Sequence, residues 1–377
     1  MTGPSHILWQ DNWPSIVWDG LGLSALHSGV GIHGQKLYAS LGHKGCLPRV
    51  TMTTDAVVSY VEESRRVYID RASRLMRIIK LKPVFSNKSY LSVGQDLGPV
   101  IYHGLSNFNL PQFVRRRRKD KFVLTLHDLI PLLTRDTSAL ALQMRYLLPI
   151  ALKRADRVIC ISNWTKDTLL NHFGAGFENK VVVIGNAFDA PRTRPATASV
   201  DFLTVARGES YKRLDLVAKI AKSLGTKAFH LVTDEAGARM INDRPANLKV
   251  HTSISHGELQ NLYGSAKCLI HPSKYEGWCL PASEALMAGA MVLFQSGSGI
   301  DEVCSLFRNK TLGMSADATL SDWVDAAEAL LARADDIGIG NDKDNDKDND
   351  EAGIVTSLPS WGDVALRTLN IYQSLIQ

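Results

Sequence analysis

No uninterrupted apolar run in this sequence approaches the roughly eighteen residues needed to cross a bilayer. Its opening residues, MTGPSHILWQDNWP, lack the basic-then-apolar order of a secretory signal, so a cytoplasmic chain is expected. Cysteine is scarce. Cys46, Cys160, Cys268, Cys279 and Cys304 are odd in number, widely spaced and without a C-x-x-C pair, which points to buried thiols rather than to a disulfide framework or a zinc site. Charge of neither sign dominates, and the formal net charge of +5 asks only for some anionic partner, such as a nucleotide, a lipid phosphate or a membrane surface. The basic runs lack interleaved aromatics to stack bases and no recognition motif accompanies them, so nucleic acid is not the expected partner.

What is present is enough apolar material for two cores: 377 residues, 45% hydrophobic and 21% charged. Short apolar strands, among them KFVLTLHD, DRVICIS, KVVVIGN, DFLTVA and KCLIHPS, alternate with amphipathic helices and each ends in polar or small residues. That pattern predicts parallel sheets covered by helices, an α/β chain. We place one domain at 1–187, a Pro- and Thr-containing linker at 189–199 and a second domain at 200–355, with the ligand site in the cleft between them. The segment 341–350, NDKDNDKDND, is too charged to bury a core and reads as a surface loop.

The stretch HPSKYEGWCLPASEALMAGAMVL, residues 271–293, holds two carboxylates, Glu276 and Glu284, separated by seven residues around a strand-to-helix turn. Pro281 stands where a helix can begin without losing a hydrogen bond. Glu276 then lies in the loop and Glu284 about one turn inside the helix, beside first-turn amides that have no helical partner. Carboxylates beside free amides suit a ligand with both hydroxyl donors and negative charge, which describes a sugar joined to a nucleoside diphosphate. A surface glutamate followed by a helix-start glutamate would give the same spacing.

This segment resembles the donor-site signature of the retaining glycosyltransferases of family 4, P-S-x-x-E-G-F-G-L-P-x-x-E-A, with Trp278 in place of the common Phe and Cys279 in place of the usual Gly. The resemblance continues in the family's order through SGVGIHGQKLYASL at 28–41, VLTLHDLIPLL at 123–133, ADRVICISNWTKDTL at 155–169, VVVIGNAFD at 181–189 and DFLTVARGESYKRLD at 201–215. It implies a GT-B fold: two Rossmann-like domains facing across a cleft, acceptor-binding first and donor-binding second, with a last helix at 360–377 crossing back to the first domain. Val364, Leu366, Leu369, Tyr372 and Leu375 have suitable apolar spacing for that helix.

The same resemblance assigns roles. Arg207 and Lys212 stabilise the departing diphosphate, with Arg213 as a competing cation in that register. Glu276 holds hydroxyls of the donor sugar, Glu284 the ribose, and the amides of Gly277, Trp278, Cys279 and Leu280 the remaining sugar oxygens. Gly29 and Gly31 let backbone approach a phosphate, although a tight turn would use them equally. His127, at the carboxyl end of a strand, contacts the transferred sugar, with Asp128 orienting its ring; His103 is a weaker acceptor-side candidate. The reaction implied is metal-independent transfer with retention, by a front-face route. The Asp-x-Asp triplets in 341–350, which hold a metal in another glycosyltransferase class, read here as solvated linker.

The segments HDLIPLL and HGLSNFNLP look most like bacterial mannosyltransferases of exopolysaccharide assembly, implying GDP-mannose as donor and a polyprenyl-diphosphate oligosaccharide as acceptor. Glucosyl, fucosyl and rhamnosyl relatives share much of the pattern. Residues 62–82, with Arg65, Arg66, Arg71, Arg74, Arg77, Lys80 and Lys82 among apolar positions, read as a basic helix on an anionic membrane surface, and RRRRK at 115–119 adds a second cluster. A solvated helix face and a charged loop are the plain alternatives. A non-catalytic sugar-nucleotide or polyanion-binding protein on the membrane surface is the competing function.

Overall fold

The computed structural model of the chain describes residues 15–19, 28–53, 66–69, 99–107, 118–134, 138–189, 200–337 and 357–377. It forms two compact units: Met1–Ile161, Thr165–Asn186 and Trp361–Gln377 in the first, Ser162–Trp164 and Ala187–Ser360 in the second.

The first unit contains β1 (Ser15–Asp19), α1 (Gly29–His43), β2 (Arg49–Thr53), β3 (Arg66–Ile69), β4 (Val100–Gly104), β5 (Lys121–Leu126), α2 (Ile130–Leu133), α3 (Ala139–Arg154), β6 (Arg157–Cys160), α4 (Asn163–Phe173) and β7 (Val181–Val183). Among the described residues its seven strands are all parallel, in the order β3-β2-β1-β4-β5-β6-β7. β4 is buried along its whole length and β5 along all but its first residue, so both are apolar runs rather than alternating strands. Against them pack Met144, Leu148, Ala151 and Leu152 of α3.

The second unit contains β8 (Val200–Val205), α5 (Leu214–Ser223), β9 (Phe229–Val232), α6 (Glu235–Arg239), β10 (Leu248–His251), α7 (His256–Ser265), β11 (Ala266–His271), α8 (Leu280–Met287), β12 (Met291–Gln295), α9 (Ile300–Cys304), β13 (Thr311–Met314) and α10 (Leu320–Asp336). Its parallel strands run β10-β9-β8-β11-β12-β13, so the winding reverses between β8 and β11. Capping residues set the helix starts: Ser255 and Thr319 each close a reciprocal capping box, with Glu258 and Asp322. At the other end of α8, Gly289 takes φ 81, and the bonds Gly289 N→Leu286 O and Ala290 N→Ala285 O stop the helix with glycine in the left-handed region.

The last helix, α11 (Trp361–Ser374), belongs to the first unit, as the resemblance implies. Val364, Leu369 and Tyr372 are buried as the spacing predicts, whereas Leu366 faces outward and Ala365 and Thr368 take inward places. The expected basic helix at 62–82 is corrected over Arg66–Ile69, which pairs with β2 as strand β3, Val50 opposite Arg66. The run Val-Tyr-Ile favours a strand there. Most of that segment, residues 115–117 of the second basic cluster, the linker from 190 to 199 and the loop 341–350 lie outside the described residues. Among the described residues no helix is long and apolar enough to cross a membrane.

Tyr372 ties α11 to the sheet. Its hydroxyl receives Trp18 Nε1–H at 3.0 Å and meets His103 Nδ1 at 2.6 Å, while His103 Nε2 meets Thr125 Oγ1 at 2.8 Å. Both ring nitrogens of His103 are therefore engaged in the core, and the acceptor-side role expected for it gives way to a structural one. Burial, reinforced by His33 and His127, lowers its pKa from 6.5 to about 3. Burial likewise lowers His33 to about 4 and His127 to about 3.

Two outcomes follow. Tyr372→Phe strips the hydroxyl from two buried partners, Trp18 and His103, and should cost about 2–3 kcal/mol, read as a lower denaturant midpoint with an unchanged slope. The second concerns acid. Three histidines folded in the neutral form protonate readily only when unfolded, so their stability is complete above pH 6.5 and declines as pH falls toward 4 and 3. Each contributes up to about 1.4 kcal/mol per pH unit within its window. Chemical denaturation at pH 7.5, 6 and 5 should show a falling midpoint for the first unit; a level midpoint would contradict the neutral core.

Candidate functional site

The reversal of winding between β8 and β11 opens a crevice at the carboxyl ends of those strands, where doubly wound sheets take ligands. Thr204 on β8 donates to the Ile270 carbonyl of β11 at 2.8 Å, fixing the two strand ends side by side. Beyond β8 the chain makes a 3-10 turn, Ser210–Lys212, whose Tyr211 carbonyl accepts Lys274 N at 2.9 Å from the loop after β11. These bonds bring the cation of one segment to the carboxylate of the other.

At the centre is Glu276. Its Oε1 lies 2.6 Å from Lys212 Nζ and 2.5 Å from His271 Nε2, with 10% of the Glu276 side chain and 14% of that of Lys212 accessible. Burial opposes ionisation of Glu276, but Lys212 and then His271 outweigh it and hold its pKa at about 2. Lys212 shows the mirror image: burial disfavours the ammonium, and Glu276 more than restores it, so its pKa rises. The site therefore carries a fixed anion and a fixed cation at neutral pH. Arg213, the competing cation, turns elsewhere. It takes φ 54 and donates to Gln295 Oε1 at 2.6 Å, with its guanidinium over the Trp323 ring.

The loop carrying Glu276 is held by backbone. Gly299 N donates to the Glu276 carbonyl at 2.8 Å, and a Cβ on Gly299 would stand 2.2 Å from the Gly277 carbonyl oxygen, so only glycine fits. Cys279 precedes α8 at φ 79 and ψ 76, a left-handed conformation costly for a residue with a Cβ, and its side chain is buried. Gly277 and Trp278 are also buried, Leu280 opens α8, and Glu284 sits half-buried one turn into it. Arg207 stands exposed just past β8, where the Gly208 amide donates to Asp234 at 3.0 Å.

In the first unit, His127 follows β5 and is clamped. Asn107 Oδ1 accepts its amide at 2.6 Å, Thr165 Oγ1 donates to its carbonyl at 3.0 Å, and its Nε2 lies 2.9 Å from the Leu105 carbonyl. A carbonyl only accepts, so Nε2 carries the proton and Nδ1 of the neutral ring is a lone-pair acceptor. Leu105 thus holds the ring in the place expected of Asp128, whose Oδ1 instead accepts Ile130 N at 3.0 Å at the start of α2. Gly29 opens α1, but the Gly31 amide donates to Ser28 Oγ at 3.0 Å, so the anion-facing role expected of Gly31 is taken by the serine cap.

The sequence reading missed His271, Asn107, His33 and Asn186. His271 ends β11 as His127 follows β5, so the criterion that selected one histidine would have selected the other. His33 lies on α1, its Nδ1 2.7 Å from Asn186 Oδ1 and its ring edge-to-face with that of His127 at 5.0 Å. No local pattern in the sequence announces that pairing. Among the described residues, His271, Glu276 and Cys279 also bring three potential ligand atoms within 4.8 Å of one another.

Residues 29–192 match the family described as Glycosyltransferase Family 4, and residues 188–333 match Glycosyl transferases group 1. Over 179 residues the chain is 25% identical to the O-antigen chain mannosyltransferase RfbU of Salmonella typhimurium, a stretch covering 45% of this chain and half the length of that protein. Sucrose-phosphate synthase from Thermosynechococcus elongatus superposes with a TM-score of 0.72 at 17% identity, over 96% of this chain and 99% of that one. The catalytic domain of starch synthase IV from Arabidopsis thaliana, bound to ADP and acarbose, gives 0.67 at 12% identity, over 97% and 99%. With two matched families spanning residues 29–333 on two doubly wound parallel sheets, the chain belongs to the family 4-like glycosyltransferases of GT-B fold.

Proposed function

We propose that this protein transfers a sugar from a nucleotide donor to an acceptor hydroxyl with retention and without a metal, and that the sugar is mannose, from GDP-mannose, placed on a lipid-linked oligosaccharide in exopolysaccharide assembly. The observation that carries the reading is the buried contact of Lys212, Glu276 and His271 at the crevice between β8 and β11. An ionised carboxylate there accepts hydrogen bonds from two sugar hydroxyls. The ammonium beside it, joined by Arg207, neutralises the diphosphate as it leaves, and charge stabilisation of this kind supplies much of a transferase's rate.

In the front-face route the departing phosphate oxygen takes the proton of the incoming hydroxyl, so no enzymic carboxylate is needed on the far face. His127, protonated on Nε2, offers Nδ1 as an acceptor to a hydroxyl of the transferred sugar. Glu284 takes the ribose hydroxyls, and the amides of Gly277 to Leu280 take the other sugar oxygens. The Gly29 amide at the start of α1 faces phosphate. Mannose is favoured by the similarity to RfbU, itself a mannosyltransferase of O-antigen chains. A lipid-linked acceptor places the protein on the cytoplasmic face of an anionic membrane, with Arg118 and Lys119 among the residues that meet it.

Nucleotide release from GDP-mannose, GDP-fucose, UDP-glucose and UDP-N-acetylglucosamine, with EDTA present and a polyprenyl-diphosphate oligosaccharide as acceptor, tests this reading. Acceptor-dependent GDP release from GDP-mannose alone is expected. Release from another donor would keep the transferase and change the sugar, and donor binding without release would overturn catalysis. Lys212→Ala and Glu276→Gln should each lower kcat by about 10²–10³-fold while circular dichroism stays native. Unchanged turnover in either variant would remove that residue from the mechanism. The glutamine variant is preferred over alanine because it keeps the volume and hydrogen bonding of a buried side chain whose removal leaves Lys212 unpaired.

A further inference from the structure

The amide of Cys279 serves the transfer reading but its side chain has no part in it, yet the chain accepts a backbone penalty to keep that side chain. A side chain at φ 79 and ψ 76 costs about 1–2 kcal/mol relative to ordinary conformations, and glycine, usual in loops this one resembles, would trace the same path freely. The conformation delivers the Cys279 sulfur into the group that holds Glu276: Sγ, a ring nitrogen of His271 and a Glu276 oxygen all lie within 4.8 Å of one another, each from a buried residue. His271 is 2% exposed, and its Nδ1 has no hydrogen-bond partner, so the imidazole is held on one side only.

Nitrogen, carboxylate oxygen and sulfur at this spacing form a mixed donor set for a thiophilic divalent ion. Zinc bonds are about 2.0–2.2 Å to nitrogen and oxygen and about 2.3 Å to sulfur, so tetrahedral ligands stand roughly 3.2–3.7 Å apart. The His271–Glu276 contact of 2.5 Å has to open by less than its own length, and the sulfur has to close in. Both are side-chain rotations on a loop whose backbone stays pinned by Gly299 N. Three protein ligands leave the fourth position to water.

We propose that His271, Glu276 and Cys279 form a binding site for a zinc-class divalent ion, and that the ion inhibits the protein by taking Glu276 away from Lys212. On binding, the Cys279 thiol gives its proton to solvent and the thiolate bonds the metal. Lys212 keeps its proton and leaves Glu276, because an ammonium 2.6 Å from a ligand oxygen repels the dication. The carboxylate that would receive sugar hydroxyls is then committed to the metal. The inhibitory half of the proposal rests on the transferase reading; the binding half does not.

The test uses the full chain, free of any affinity tag, with ZnCl₂ titrated by calorimetry in chelator-treated buffer and with Co²⁺ as an optical probe. One ion per chain is expected, with a thiolate-to-cobalt charge-transfer band in the near ultraviolet. Cys279→Gly, suited to the left-handed backbone, should weaken zinc binding at least tenfold and abolish the band; His271→Gln should also weaken binding. Equal affinity in wild type and Cys279→Gly, or no zinc uptake by wild type, would overturn the site. Nucleotide release by wild type should fall as zinc saturates and return with EDTA, while Cys279→Gly, compared with its own metal-free rate, should need at least tenfold more zinc. Undiminished turnover at saturating zinc would overturn the inhibition. Should no donor support turnover at all, calorimetry and the cobalt spectrum still decide the site, and the failure falls on the transferase reading.

Discussion

A carboxylate withdrawn from water stays ionised only where the protein replaces the lost hydration with charge and hydrogen bonds, and Glu276 is the group in the second unit on which this demand falls hardest. Meeting it organises the surroundings. The turn after β8 has to carry Lys212 to the loop after β11, which the Tyr211–Lys274 backbone bond secures. The strand end has to be a histidine, and the loop has to fold tightly enough that Gly299 touches the Gly277 carbonyl. A sheet whose winding reverses between β8 and β11 is what makes room for such a knot, because the connections leaving the carboxyl ends of those two strands run in opposite directions along the sheet, β8 toward β9 and β11 toward β12.

The first unit answers the opposite problem in the opposite way. His33, His103 and His127 are buried against neutral hydrogen-bond partners, and each is kept neutral by burial. Neutral imidazole is a directional group with one donor and one acceptor, so hydrogen bonding, not charge, decides which way each ring points. Leu105 settles His127, Asn186 settles His33, and Tyr372 with Thr125 settles His103. One unit thus holds an ion pair whose charges fix each other, and the other holds neutral rings whose orientation hydrogen bonds decide.

Much of the fold was legible because parallel strands buried on both faces are continuous apolar runs with polar ends, and KFVLTL, DFLTVA and KCLIH read as such at once. The loop around Glu276 was legible from its order of Glu, Pro and Glu, and the turn into α8 falls where Pro281 allows it. Long-range side-chain pairing was not. Tyr372 has the spacing of an apolar residue of α11, yet its hydroxyl serves Trp18 of β1 and His103 of β4, and nothing local to either strand hints at a partner in the last helix. His103 therefore looked like a ligand-facing strand end. The serine cap that uses the Gly31 amide is legible in SGVG, where Ser28 stands three residues before the amide it caps. At 62–82 the basic residues suggested a helix, whereas pairing with β2 determines the state of Arg66–Ile69.

The membership of α11 in the first unit bears on the order in which the protein can assemble. Trp18 and Tyr372, hydrogen-bonded in the finished core, are 354 positions apart, and His103 waits 269 residues for its phenol. During synthesis from the amino terminus, the sheet of the first unit emerges early but lacks the side chain that satisfies two of its buried polar groups. The second unit, whose described strands and helices all lie between residues 200 and 336, has its own segments complete before that phenol exists. The second unit can therefore close on its own before the residue that completes the core of the first has been made.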